Sequence, residues 1–313
     1  MILTVTLNPS VDRALEVDAL VRGEVLRAGD SHIDPGGKGV NVSRALLANG
    51  VRSTAVVPTG GAEGDQLVDL MKAEGVDMLA VPIAGRTRSN ITLAEPDGTV
   101  TKINEVGPEL SEAEFAEVSD AVLTAAGGAA WVVICGSLPP GPSVAAFTDL
   151  CERLVAAGAR LAVDSSGPAL LAGVAAGAAL VKPNREELAE AVGGELRTLG
   201  DVIEACEKLR KAGAGAVLAS LGADGAVLVD DAGVLTGISP VSVPRSTVGA
   251  GDALLAGFLS AGARGEAALI EGLAWGAAAV SLPGSRMPGP DDLDRTRIHI
   301  DSHPDPSRPL NRD

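Results

Sequence analysis

The sequence predicts an α/β fold, a mostly parallel sheet with helices on both faces. Three observations predict it. Short runs of Val, Ile, Leu and Ala alternate with segments whose apolar residues recur at helical spacing, the rhythm of βαβ units. Apolar residues make up 46% of the 313 positions, aromatics only 2%, and Tyr is absent, so the core is aliphatic and suits strands buried on both faces. Residues 88–104 break the rhythm and read as a hairpin, which predicts a second, small sheet apart from the main one.

Residues 2–7 form a first buried strand, ended by Asn8-Pro9. A polar, alternating stretch runs from about Ala14 to Asp34, and Asp34-Pro35-Gly36-Gly37 breaks it. Val40, Val42, Ala45, Leu46 and Leu47 then share one helical face. Residues 54–58 are a second strand, and a helix from Asp65 to Glu74 closes at Gly75. The hairpin 88–104 turns at Pro96-Asp97-Gly98. A helix over 111–126 leads to strand Trp131–Cys135, a Gly- and Pro-rich loop at 136–141, helix 143–157 and strand Arg160–Asp164. A short helical stretch leads to strand Leu180–Lys182, and Pro183-Asn184 opens the next helix. Helix 201–212 precedes a meander over 216–220, 226–229 and 234–236. Two apolar helices follow, near 250–262 and 266–281, and from Pro288 the chain is polar, Pro-rich and expected to be loosely held.

The formal charge of -16 makes the chain a poor general binder of nucleic acid or anionic membranes. Cys135, Cys151 and Cys206 are odd in number and far apart, so they are expected as reduced, buried thiols of a cytoplasmic protein. His32, His299 and His303 do not suggest a zinc site. The N-terminal MILTVTLNPS lacks the basic start and apolar core of a signal peptide. No stretch has the length and apolarity of a membrane span.

Five segments could carry chemistry. Ser246 to Asp252 reads STVGAGD before an apolar helix: small residues let amides approach an anion, and the helix adds its positive end. Leu254 stands where a dinucleotide fingerprint would have its third Gly. Pro35 to Val42 reads PGGKGVNV, where Gly39 follows Lys38 and so departs from a P-loop. A tight turn there would leave Lys38 for a phosphate and Asn41 for hydroxyls, although a solvated Lys fits equally. In Lys182-Pro183-Asn184-Arg185-Glu186-Glu187, the spacing of Asn184 and Glu187 fits a capping box, and also organisation of Mg²⁺ through water. Ser220 to Gly225 alone is a hairpin turn, and Asp12 alone is a surface carboxylate that could accept sugar hydroxyls.

Taken in this order, TLNPSVD, GGKGVNVSRAL, GRTRSN, GSLPPG, DSS, KPNREEL, SLGADGA and STVGAGDALLAGF resemble the ribokinase-like, or PfkB, family of carbohydrate kinases over residues 1–285. Within it they look most like bacterial 1-phosphofructokinases and the related tagatose-6-phosphate kinases. Kinases of this fold acting on fructose 6-phosphate more often have four glycines where Gly36 to Gly39 here include Lys38.

The resemblance implies a three-layer α/β/α kinase domain over residues 1–289, with lid segments at about 12–34 and 86–105 and a polar tail at 290–313. It implies ATP-dependent phosphorylation of fructose 1-phosphate at C6, with ATP and Mg²⁺. Asp252 would be the base, and amides of Gly249, Ala250 and Gly251 would hold the transferring phosphate. Asp12, Gly37, Lys38, Asn41 and Arg88 would bind the sugar phosphate; Lys182, Asn184, Ser220, Gly222 and Gly225 the nucleotide; Glu187 would serve Mg²⁺. The lid implies a homodimer. Ile91 and Leu93 share a lid face by strand periodicity, with Val17 and Ile33 as companions.

Overall fold

A computed structural model describes residues 1–311. Its ten-stranded sheet runs β14-β13-β12-β11-β10-β9-β8-β1-β4-β5. The strands are β1 (Ile2–Thr6), β4 (Ser53–Thr59), β5 (Met78–Pro82), β8 (Trp131–Cys135), β9 (Leu161–Asp164), β10 (Leu180–Val181), β11 (Val217–Ser220), β12 (Ala226–Asp230), β13 (Gly233–Ile238) and β14 (His299–Asp301). From β5 to β11 the pairing is parallel, and β11 to β14 form an antiparallel end.

Strand periodicity sends alternate residues into two cores. Leu3, Val5, Val132 and Ile134 pack with Phe115, Phe147 and Leu150 in one layer. Those side chains come from α3 (Glu112–Ala126) and α4 (Val144–Ala156), and α5 (Gly167–Ala175), α6 (Arg185–Val192) and α7 (Leu199–Lys211) share that face. Ile2, Trp131 and Val133 pack on the other face with α1 (Lys38–Ala48), α8 (Ala250–Ser260) and α9 (Gly265–Ser281). The helix α2 (Gly61–Glu74) covers Ala55 and Val57 through Leu67 and Met71. These are the predicted three layers.

The second sheet is β3 (Ser31–Gly36), β2 (Ser10–Glu16), β6 (Arg88–Ala94) and β7 (Val100–Asn104), in that order. Its register puts Ile33, Arg13, Ile91 and Ile103 in one row. The next row, on the opposite face, carries Asp34, Asp12, Asn90 and Asn104. This sheet, expected to be the lid, is therefore polar on one face and largely apolar on the other. Val11 and Ile33 pack against the α2 cluster, Leu93 and Val17 are buried, and Ile103 is 55% exposed.

The elements depart from expectation at the margins of the sheet. β5 is an edge strand of five residues that ends in Pro, too short to announce itself beside α2. The run from residue 290 to 311 is docked, and the last two residues of the expected tail lie outside the described residues. β14 pairs with β13, and Leu310 is buried in the core. Two short 3₁₀ turns, Pro290–Asp292 and Arg295–Arg297, precede β14. Its backbone supplies the anchoring that its polar side chains hide. All three cysteines are free and buried, as predicted. No helix among the described residues is long and apolar enough to cross a membrane.

Candidate active site

The site lies where β1, β9, β10 and β11 end at their C-terminal tips, the ligand-binding end of parallel sheets. Past β1 the chain reaches Asp12 on β2; β9 ends on Asp164; Lys182 follows β10; β11 ends on Ser220. The helix α8 brings its first turn to the same place. Gly249 is its N-cap in the left-handed region (φ 75°), and Asp252 lies in its first turn, 7% exposed.

A compact charge cluster joins the predicted residues. The Asn41 amide donates to Asp252 Oδ2 at 2.9 Å. Lys38 Nζ donates to Asp164 Oδ1 at 2.9 Å and to Glu187 Oε1 at 3.2 Å. Lys182 Nζ stands 3.0 Å from Asp164 Oδ2 as an ion pair. Burying a lone carboxylate as deeply as Asp164 would cost several kcal/mol. Burial does oppose its ionisation, but Lys182 and Lys38 outweigh that and hold its pKa below the ordinary value. Burial likewise works against the Lys38 ammonium, and Asp164 and Glu187 reverse it and raise the pKa. Asp252 goes the other way. Burial, then the charge of Asp164, push it up to about 6, against the opposing pull of Lys38, Asn41 and Lys182. The cluster thus contains one carboxylate locked as an anion and one poised to exchange a proton near neutral pH.

Glycines make room for this geometry. A Cβ on Gly39 would stand 2.5 Å from Thr6 Oγ1 and 3.0 Å from the Val5 carbonyl, so α1 can run against β1 only with Gly there. Gly225, at φ 88°, would drive a Cβ to 2.0 Å from the Gly237 carbonyl.

Asn184 and Glu187 do form the capping box: the Asn184 side chain accepts from Glu187 N–H, and Glu187 Oε2 accepts from Asn184 N–H, each at 2.8 Å. Glu187 keeps its other oxygen for Lys38, so capping and site duties coexist. Asn184 also bridges to Ser220, which brings the α6 start beside the 3₁₀ turn Gly222–Asp224.

The lid residues form a second group. Asp12 Oδ1 accepts from Ser10 Oγ at 2.6 Å and from the Asn90 amide at 2.9 Å. Gly36 and Gly37 connect that group to Lys38. Arg88 donates through Nε and Nη2 to the Asn8 carbonyl and through Nη1 to the Glu105 carbonyl, and burial lowers its pKa. Its fork therefore ties the lid to the β1 exit.

Lys38, expected at the acceptor's own phosphate, has its ammonium between Asp164 and Glu187. Asp164 and Arg44 lay outside the expected residue set. Asp164 ends an otherwise apolar strand at the ligand-binding end, a signal that could have singled it out. Arg44 is 8% exposed; it donates to both Glu74 oxygens at 2.6 and 2.7 Å, stands 3.7 Å from Asp34 and reaches Asn41 Oδ1 at 3.5 Å. Nothing in its local sequence distinguishes it from a solvated helix Arg.

The arrangement can take a proton at Asp252, neutralise anionic oxygens at Lys38, Lys182 and the α8 amides, and hold hydroxyls at Asp12, Asn90 and Asn41. The profile of the pfkB family carbohydrate kinases matches residues 5–292. The chain is 39% identical to 1-phosphofructokinase of Haloferax volcanii, over 96% of this chain and 98% of that one. It is 37% identical to ATP-dependent 6-phosphofructokinase isozyme 2 of Escherichia coli, again over 96% and 98%. The crystal structure of Escherichia coli phosphofructokinase-2 with substrates and products superposes with a TM-score of 0.88, covering 93% of this chain and 96% of that one at 37% identity. A tetrameric inhibited form of that enzyme superposes at 0.84, with 36% identity and the same coverage. The chain belongs to the pfkB family of carbohydrate kinases.

Proposed function

We propose that this ATP-dependent sugar kinase transfers the γ-phosphate of ATP to the C6 hydroxyl of fructose 1-phosphate. The products are ADP and fructose 1,6-bisphosphate. The observation that carries the reading is the buried Asp252 carboxylate in the first turn of α8, beside the backbone of Gly249 to Gly251. Asp252 takes the hydroxyl proton as the new O–P bond forms and the bond to the ADP oxygen breaks. The pKa near 6 leaves it mostly ionised at neutral pH and basic enough to hold the proton. Amides of Gly249, Ala250 and Gly251, with Lys182, neutralise the transferring phosphate.

Lys38 joins them in this reading, because its ammonium stands between Asp164 and Glu187 at the reacting end. Asp12, Gly37, Asn41 and Arg88 hold the sugar phosphate. Asn184, Ser220, Gly222 and Gly225 line the nucleotide. Among the described residues no group of three or more His, Cys, Asp or Glu could hold a metal by itself. Glu187 and Asp164, converging on one ammonium, do fit Mg²⁺, which keeps most of its waters and takes further oxygens from phosphates. Glu187 would hold it through water, and the ion would supply charge neutralisation on ATP. The lid's polar face excludes water from the transferring phosphate.

The identity to a 6-phosphofructokinase isozyme 2 supports a second reading, with fructose 6-phosphate as acceptor. Lys38 in place of a fourth glycine favours the first. A coupled ADP-release assay with fructose 1-phosphate, fructose 6-phosphate and tagatose 6-phosphate separates them. Fructose 1-phosphate gives the highest kcat/KM, and a better rival overturns the acceptor while leaving the kinase. A binding regulator without catalysis would not need Asp252, and such a protein would release no ADP with any sugar.

The exposed Ile103 on the lid's apolar face supports a homodimer formed by two lids. The free, buried thiols and the phosphorylated substrates support a cytoplasmic enzyme.

A further inference from the structure

The stretch that matches the family ends at residue 292, yet the chain beyond it is bound to the body. Leu310 is buried with Leu188, Leu196 and Leu199 in the core. The Leu310 N–H donates to the Arg197 carbonyl, Leu199 N–H to Arg308, and Gly200 N–H to Pro306. Thr198 and Pro309 form a bridge. The segment Ser302–Asn311 thus crosses the start of α7 as a fixed strap.

The strap reaches further than its own anchoring requires. Past Leu310, Asn311 is exposed, and its partners lie elsewhere. Its backbone N–H donates to Asp224 Oδ2 at 2.8 Å, and its side-chain amide donates to Asp224 Oδ1 at 2.9 Å. Its carbonyl accepts from Arg185 Nη1 at 2.6 Å. Arg308 Nη2 approaches the Asp224 carbonyl at 3.4 Å. Asp224 closes the Gly222–Asp224 turn, and Arg185 follows Asn184, so one residue joins the two loops assigned to the nucleotide.

That turn needs an outside hold. It contains Gly222 at φ 57° and Gly225 at φ 88°, and glycines leave an unligated turn many conformations. Its internal backbone bonds are Leu221 N–H to Gly225, Asp224 N–H to Leu221 and Gly225 N–H to Gly222. From outside the turn, Asn311 grips its one acidic side chain, Asp224.

We infer that the strap Ser302–Asn311 sets the nucleotide affinity of this kinase, with Asn311 and Asp224 as positioning residues that hold the Gly222–Gly225 turn in its binding conformation. The inference rests on the reading of that turn as nucleotide-lining. A turn held only part of the time binds more weakly in proportion to the lost population. Leu310 holds the strap to the core, and Asn311 is exposed, so removing its side chain leaves the packing intact.

The test uses the full chain as Asn311→Ala, Asp224→Ala and the exchange Asp224→Asn with Asn311→Asp. ADP binding is measured by calorimetry, KM for ATP and for the sugar phosphate by steady state, and exchange of the amides of residues 222–225 by mass spectrometry. Each single variant raises the ADP Kd and the ATP KM about 5- to 20-fold, the range for a turn ordered only a tenth or so of the time. Sugar-phosphate KM stays within about twofold of the parent, since that site lies on other elements. Turn amides exchange faster, and the exchanged pair, which can remake the side-chain bond, recovers most of the affinity. Unchanged ADP affinity in both single variants overturns the strap's role while leaving the kinase intact. An equal rise in sugar KM overturns it too, because the effect is then general loosening. A parent protein that binds no adenine nucleotide overturns the nucleotide assignment itself.

Discussion

Asn41 and Asp252 are hydrogen-bonded at 2.9 Å across 211 positions of sequence. Asn41 lies on α1 and Asp252 on α8, so this bond locks two helices on one sheet face and fixes the direction of the carboxylate. The amide can face Asp252 with its nitrogen because its oxygen looks toward Arg44. A carboxylate held this way keeps one orientation.

Asp252→Asn is expected to lower kcat by about 10²–10⁴, the usual range for losing a general base. The amide is nearly isosteric and cannot take the proton. ADP affinity stays close to the parent's in calorimetry. A variant with parental kcat would remove Asp252 from the chemistry.

The pH dependence follows from the raised pKa of Asp252. The active form is the carboxylate, so kcat falls as pH drops through about 6. Lys38 pulls that pKa down, so Lys38→Met shifts the acid limb to higher pH. A kcat–pH profile between about pH 5 and 8 reads both effects. An unmoved limb in Lys38→Met would separate the ammonium from the base.

Lys38→Ala also separates two roles. From the motif alone, a rise in sugar-phosphate KM would be expected. From the contacts with Asp164 and Glu187, kcat falls more than that KM rises. Steady-state kinetics at saturating ATP distinguishes them. A pure KM effect would return Lys38 to the acceptor's own phosphate.

Gly39→Ala puts helix propensity against packing. Alanine gains about 1 kcal/mol over glycine within a helix. Overpacking costs about 1–3 kcal/mol, and here the neighbours are Thr6 and the Val5 carbonyl of a central strand, which cannot swing aside. Packing wins, so the midpoint of urea unfolding drops. A rise in midpoint would show that α1 can step back from β1.

Ile103→Asp tests the assembly. Ile103 is 55% exposed beside Ile91 on the lid's apolar face. A charge there splits a lid-to-lid dimer into a species of 31.3 kDa in sedimentation. Parental protein that already sediments at that mass, with full activity, would rule the dimer out.

The sheet, the lid and the glycine loops were legible because each leaves a local trace: an apolar run, a Pro-Asp-Gly turn, small residues before a helix. The placement of Asp252 at a helix start could be read from Gly249-Ala250-Gly251 before it. The surroundings of Asp164 were hidden, since its two lysines come from α1 and from the end of β10, and only folding brings them within 3.0 Å. Arg44 was hidden for the same reason. The segment after residue 289 misled because its side chains are polar, while main-chain bonds to Arg197, Leu199 and Gly200 hold it. Composition reports side chains, and that anchoring lies in the backbone.

The place of β1 between β4 and β8 bears on how the chain acquires its shape. The first strand made has its flanking partners far downstream, at Ser53–Thr59 and Trp131–Cys135. Parallel pairings across such separations close long loops before contacts reward them, which slows folding. A nascent chain stopped after β4 has one edge of β1 still unpaired, open to other chains. Asn41 and Asp252 meet only once α1 and α8 have docked on the same face of the assembled sheet, later than either helix can form. Refolding followed by activity should therefore lag refolding followed by helix content.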